Sequence, residues 1–242
     1  MFKKTQALAA CLLVGLSTLL LSGCSGQTTA LPIDSSRLSA YAATYTADSE
    51  QGGALSLQTT QDDLGNWVIN STLTAPNGSM QSRVSLQGDF TPRTTRIELS
   101  AEGQAYVIQS EYGEKQLVMQ AETPSGPQSA ERNLRRPYYD NEQLVAMLPA
   151  LMLDPGKELK FVLVATQSAT KLTPSISLAA ENGQPIIERV TIPSGTVDCQ
   201  LIRFSAGVAG SSEQTFWVTT SAPYVVARID NGTMTYTLSE LK

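Results

Sequence analysis

The chain has 242 residues, with 17 Lys plus Arg against 22 Asp plus Glu and no histidine. A sequence pI of about 4.8 excludes the basic face that a nucleic-acid backbone requires, and 41% hydrophobic against 16% charged residues excludes a disordered polyampholyte. Without histidine there is no Ser-His-Asp triad, no Cys-His pair and no His-ligated zinc.

Lys3 and Lys4 precede an apolar run from Ala7 to Leu21, shorter than the roughly 20 residues of a membrane span. The run ends in Leu21-Ser22-Gly23-Cys24. A basic start, an apolar centre and a small-residue end describe a secretory signal peptide. The Leu-Ser-Gly-Cys ending resembles the lipobox of bacterial lipoproteins. That resemblance implies cleavage before Cys24, diacylglycerol on its thiol and acylation of the new N-terminus. Two or more acyl chains hold a protein stably, where one holds it marginally. The expectation is a lipid-anchored protein on the cell membrane or outer membrane, facing away from the cytoplasm. Ser25 in place of an aspartate after the cysteine weakly favours the outer membrane within that family.

Loss of residues 1–23 leaves 15 basic and 22 acidic side chains. Cys11 leaves with the signal and Cys24 is taken by lipid, so Cys199 has no disulfide partner. It alternates with Val197 and Leu201, which predicts a buried structural thiol. Residues 24–36 read as anchor and tether, being small and polar without periodicity. Residues 37–242 read as one all-β domain, with a subdivision conceivable near 125–157.

Short period-2 segments separated by turn signals run through that domain. Tyr41 to Thr46 and Ala54 to Thr60 flank a glycine turn. Trp67, Ile69 and Leu73 share one face of the next strand. Asn77-Gly78 predicts a type I′ hairpin turn, with positive φ at both residues. Val84 with Leu86, Ile97 with Leu99, Tyr106 with Ile108, and Leu117 with Met119 continue the alternation. Leu144, Met147, Leu148, Leu151 and Met152 break it with helical spacing. Asp140 is the expected N-cap and Gln143 its capping-box partner, while Pro149 ends or kinks the helix. Strands resume at Leu159 and continue to Leu238. The fold class expected is all-β: a large antiparallel curved sheet, half-barrel or sandwich of roughly a dozen strands, with one short apolar helix.

The turn Asp154-Pro155-Gly156-Lys157, the run Val190 to Cys199 with its Pro193-Ser194-Gly195-Thr196 turn, Phe216-Trp217-Val218, and Pro223-Tyr224-Val225-Val226 occur in that order. This order resembles an exported all-β family of unknown function, over residues 140–240. The resemblance transfers no catalytic residue. A more distant similarity is to lipoprotein-carrier half-barrels, in which a curved sheet and helical lid enclose an apolar cavity; it implies acyl-chain carriage.

Two sets of site residues follow. The helix is either a lid over a ligand cavity or a plug in the core. As a lid it places Leu144, Met147, Leu148, Leu151 and Met152 on a hydrophobic ligand, with Trp67 and Trp217 from the sheet. Arg132, Arg135 and Arg136 with Tyr138 and Tyr139 form either an interaction patch or a solvated loop. Asp62, Asp63 and Asn66 read as a hairpin turn, since the spacing of a calcium loop is absent. No nucleophile elbow, phosphate loop or dinucleotide fingerprint occurs. The reading is therefore a non-enzymatic envelope lipoprotein without cofactor or metal. It binds or carries a hydrophobic molecule, or alternatively serves as a structural or protein-interaction scaffold. Its expected partners are the membrane and a small apolar molecule or envelope protein, with no nucleic acid.

Overall fold

A computed structural model describes residues 28–49, 53–208 and 210–242. The expected signal peptide and the expected lipidation at Cys24 lie outside the described residues. The first half is a run of hairpins: β1 (Tyr41–Ala47), β2 (Ala54–Gln61), β3 (Trp67–Ala75), β4 (Gly78–Leu86), β5 (Pro92–Ala101), β6 (Gln104–Tyr112), β7 (Gln116–Thr123) and β8 (Gly126–Asn133). Next come β9 (Tyr139–Asp140), the helix α1 (Leu144–Met147), β10 (Glu158–Lys160), β11 (Leu163–Ala165) and β12 (Thr170–Leu172). The second half adds β13 (Ser175–Leu178), β14 (Ala180–Glu181), β15 (Gln184–Pro185), β16 (Ile187–Ile192), β17 (Gly195–Ser205), β18 (Gln214–Thr219), β19 (Val226–Asp230) and β20 (Thr235–Leu241).

Both halves belong to one 15-stranded sheet, ordered β10-β13-β17-β18-β19-β20-β1-β2-β3-β4-β5-β6-β7-β8, with β16 also paired to β17. The seam is β20 against β1, so the subdivision near 125–157 does not divide the sheet. Its ends, β10 and β8, do not meet, and the sheet stays open. Both edges are polar. β8 (Gly-Pro-Gln-Ser-Ala-Glu-Arg-Asn) is exposed along most of its length, and β10 is three residues with two charges. Such edges discourage further strand pairing. They also carry no apolar alternation, so β8 was not foreseen from the sequence.

Strand pairing places Ile69, Val84, Thr95 and Ser110 in one row across β3 to β6, and Ser71, Ser82, Ile97 and Ile108 in the next. These rows form the inner face. Thr95 of β5 bonds Asp140, and the ring of Phe204 of β17 lies 6.4 Å from that of Phe161. Two strands far apart in the sheet thus touch the same stretch of chain, residues 139–166. The sheet therefore curves around that stretch.

The helical stretch is a core plug. It is a 3₁₀ turn at Asn141–Gln143, a single α turn at Leu144–Met147, and a second 3₁₀ turn at Leu148–Ala150. The capping box at Asp140 and Gln143 is present as expected. Pro149 sits early in the second 3₁₀ turn, where its missing N–H costs nothing. Leu144 and Leu148 are 0% exposed, and Met147 and Leu151 are 1%. Side chains fill the space that a lid would have left open. Met152 departs from this face and is 49% exposed.

Two further expectations change. Asn77 does not have positive φ, and Ala75 pairs with Gly78, so that turn is Pro76-Asn77. The I′ geometry occurs instead at Asn182-Gly183, with φ of 52° and 77° between paired Glu181 and Gln184. Residues 28–36 of the expected tether are docked on the domain. Leu31 is 5% exposed, Ile33 bridges Leu151, and Thr29 N–H donates to Lys160 O at 2.8 Å. Leu31 and Ile33 are spaced as a strand, and that spacing is the signal a compositional reading passes over.

Candidate functional site

The described residues hold a groove of about 550 Å³ lined by Ala30, Leu31, Ile33, Ser35, Gly88, Asp89, Phe90, Thr91, Arg136, Pro137 and Tyr139. That volume falls within the range of small-molecule sites, roughly 300–1,000 Å³. One wall is the docked N-terminal segment. Leu31 N–H donates to the Tyr139 hydroxyl at 3.0 Å, which fixes the segment against the floor. The other wall is the β4–β5 loop. Phe90 is 5% exposed at φ 63°, a left-handed backbone that a bulky side chain adopts only when its surroundings impose it. The loop is held by Phe90 N–H to Gln87 O at 2.9 Å and by Gln143 Nε2 to Phe90 O at 3.0 Å. Arg136 Nη1 and Asp89 Oδ2 stand 3.6 Å apart at the rim, both partly exposed. The groove is thus an apolar floor beside one loosely paired cation and anion.

The expected site residues divide around it. Arg136 and Tyr139 line the groove. Met152 N–H donates to Pro32 O at 2.8 Å, which places Met152 behind the same N-terminal segment. The helix residues Leu144, Met147, Leu148 and Leu151 do not line it. Trp67 and Trp217 occupy different places. Trp67 lies on the row face of Ile69 and Leu73. Trp217 lies opposite Phe216, where its Nε1 donates to Glu188 Oε2 at 2.8 Å and Arg228 stacks over the ring at 4.1 Å. Tyr138 is 0% exposed and Tyr139 5%, so the aromatic rings of the Arg-Tyr stretch point inward, away from Arg135 on the surface. Arg132 Nε donates to Ala169 O at 3.1 Å. Leu31, Ile33, Asp89 and Phe90 were missed because they come from segments that meet only in the fold.

Under the groove lies a buried polar knot. Asp140 is 0% exposed and accepts hydrogen bonds from Thr95 Oγ1 and Thr166 Oγ1, both at 2.6 Å, from the Tyr112 hydroxyl, and from Glu142 N–H at 2.7 Å. Burial raises its carboxyl above the ordinary value, and the four donors oppose that rise. Glu142 keeps part of its surface accessible. Burial pushes its carboxyl up to about 7, the Asp140 charge adds to the rise, and Asn141, Ser82 and Gln167 oppose it. The two carboxyls shape the fold's response to pH.

That response has a definite sign. Between its ordinary value of 4.5 and about 7, folded Glu142 holds a proton that the unfolded chain has released. Its contribution is complete below the ordinary value and is lost as pH rises through the folded one. The folded protein should lose about 2 kcal/mol from acid to mildly alkaline buffer, after discounting for solvent access. Glu142→Gln should flatten that slope. Urea midpoints at the two pH values measure it, and equal wild-type midpoints would rule it out.

Among the described residues no group of three or more His, Cys, Asp or Glu side chains is placed to hold a metal ion, and no helix is long and apolar enough to cross a membrane. Asp62 accepts from Leu64 N–H, Asn66 N–H and Asn66 Nδ2, which is a hairpin turn closing on itself. Cys199 is 0% exposed, and burial pushes its thiol up to about 11.

The fold and groove define a class, the open β-barrel-like domain curved around a buried plug. Among solved structures, the chain is similar to a β-barrel-like protein of domain of unknown function DUF1849 from Brucella abortus. The TM-score is 0.54 at 12% identity, covering 88% of this chain and 99% of that one. At that identity the likeness concerns the fold alone. No family model matches the sequence, and no curated protein matches it.

Proposed function

We propose that this chain is a lipid-anchored envelope protein that binds a hydrophobic or amphipathic small molecule without catalysing a reaction. The observation that carries this reading is the groove beside the N-terminal segment, with its apolar floor and a single ion pair at the rim. A site with an apolar floor and few polar groups suits retention of a molecule that is apolar over most of its length. The anchor is Cys24, and its lipid holds the protein to the membrane on the side away from the cytoplasm. The lipobox ending carries that part of the reading.

Native mass spectrometry of the lipidated protein, followed by solvent extraction, tests the proposal. A stoichiometric apolar molecule is expected, and Ile33→Arg, which places a charge over the groove floor, should release it. A mass without ligand, repeated after incubation with envelope lipids, would overturn it. The filled core favours a scaffold as the second reading, because plug side chains occupy the carrier cavity. In that case the anchored protein would retain an envelope protein in place of a small molecule.

A further inference from the structure

We infer that the groove takes the headgroup of a zwitterionic phospholipid, of phosphoethanolamine chemistry, from the membrane that holds the anchor. The inference rests on the lipid-anchor reading and deepens it.

The length of the connecting chain carries the argument first. Three residues, and so four Cα–Cα steps, separate Cys24 from Thr28, where the described chain begins. At roughly 3.3–3.6 Å per extended residue, the four steps span at most about 14 Å. The next residue, Thr29, is bonded to Lys160 O, and Ala30, Leu31 and Ile33 already line the groove. A lipid on Cys24 therefore keeps Thr28, beside the groove wall, within about 14 Å of the headgroup layer. A long free tether would have allowed any face of the domain to meet the membrane; this one selects the face that holds the groove. Met152, 49% exposed and bonded through its backbone to Pro32, presents apolar surface beside the same segment.

Charge supplies the second part. Arg136 and Asp89 are 3.6 Å apart and partly exposed, a pair that contributes little in water. It opens at small cost. A phosphate replaces Asp89 on the Arg136 guanidinium, which offers a fork of donors, and a primary ammonium replaces Arg136 on the Asp89 carboxylate. An anionic headgroup without the ammonium would satisfy Arg136 and leave Asp89 facing negative charge. Leu31, Ile33, Phe90 and Pro137 then receive the apolar part of the lipid next to the glycerol.

The test uses the full lipidated chain in vesicles of phosphatidylcholine, phosphatidylethanolamine and phosphatidylglycerol. A photo-crosslinking benzoylphenylalanine replaces Ser35 on the groove wall, and in a separate sample Gln27 next to the anchor. The expected result is lipid adducts at Ser35, enriched several-fold in phosphatidylethanolamine over the vesicle composition. Arg136→Gln and Asp89→Asn should each abolish the enrichment while the Gln27 adducts persist. Asp89→Asn keeps the acceptor for Thr91 N–H, so it preserves the loop. Adducts at Ser35 in bulk proportion, a preference for phosphatidylglycerol, or none at Ser35 while Gln27 is labelled, would each overturn the inference and leave the anchor standing. No adduct at either position, with the protein free of the vesicles, would overturn the anchor reading and the inference with it.

Discussion

Asp140→Ala should lower the unfolding free energy by about 3–5 kcal/mol, read as a shift of the urea midpoint at neutral pH. The reason is the number of donors that one carboxylate serves. Thr95 from β5, Tyr112 from β6 and Thr166 from the 3₁₀ turn after β11 all point to its Oδ2, while Oδ1 caps the plug through Glu142 N–H. Each orphaned buried donor costs roughly 1–3 kcal/mol, and loss of an N-cap costs about 1 more. The Tyr112 hydroxyl and Thr166 Oγ1 are 2.7 Å apart and can still bond each other, which holds the total below the sum. Asp140→Asn is the informative companion. It keeps one oxygen, so it should retain much of what Ala loses. It also removes a carboxyl whose pKa is raised by burial, and with it a part of the decline in stability toward high pH. Equal stability of the alanine variant and the wild type would mean that the knot does not join plug to sheet.

Leu148→Ala is the second large effect, at about 2–5 kcal/mol. Leu148 is 0% exposed and lies just after a helix of one turn. A helix that short has no stability of its own in water; packing against the sheet is what keeps it. Truncating Leu148 leaves a cavity that the surrounding side chains fill only in part. A lid residue would behave differently, changing ligand retention while the midpoint stayed put. Met147→Leu conserves volume and should cost less than about 1.5 kcal/mol. Urea denaturation of both variants, with extraction of bound lipid from each, separates the plug from a lid.

The alternating strands and the capping box were legible because each is local. Period-2 burial in β2, β4 and β7 follows the apolar spacing of the sequence, and Asp140 and Gln143 stand at the spacing a capping box requires. The class of fold followed from these. Strands without apolar alternation were not legible. β8 is exposed at an edge, and the docked residues Leu31 and Ile33 sit among small polar neighbours that resemble a linker.

By itself, the sequence determined the strand rhythm, the place of the helix cap and the lone thiol of the domain, because propensity and spacing act over a few residues. Tertiary structure decided that the helix is a plug, that Trp67 and Trp217 serve different faces, and that Ile33, Asp89, Phe90 and Arg136 share a groove. Those outcomes depend on how far the sheet curves and which segments it brings together. An apolar stripe at helical spacing has the same pattern whether side chains or a ligand lie beneath it, and only the packing of distant strands against it separates the two.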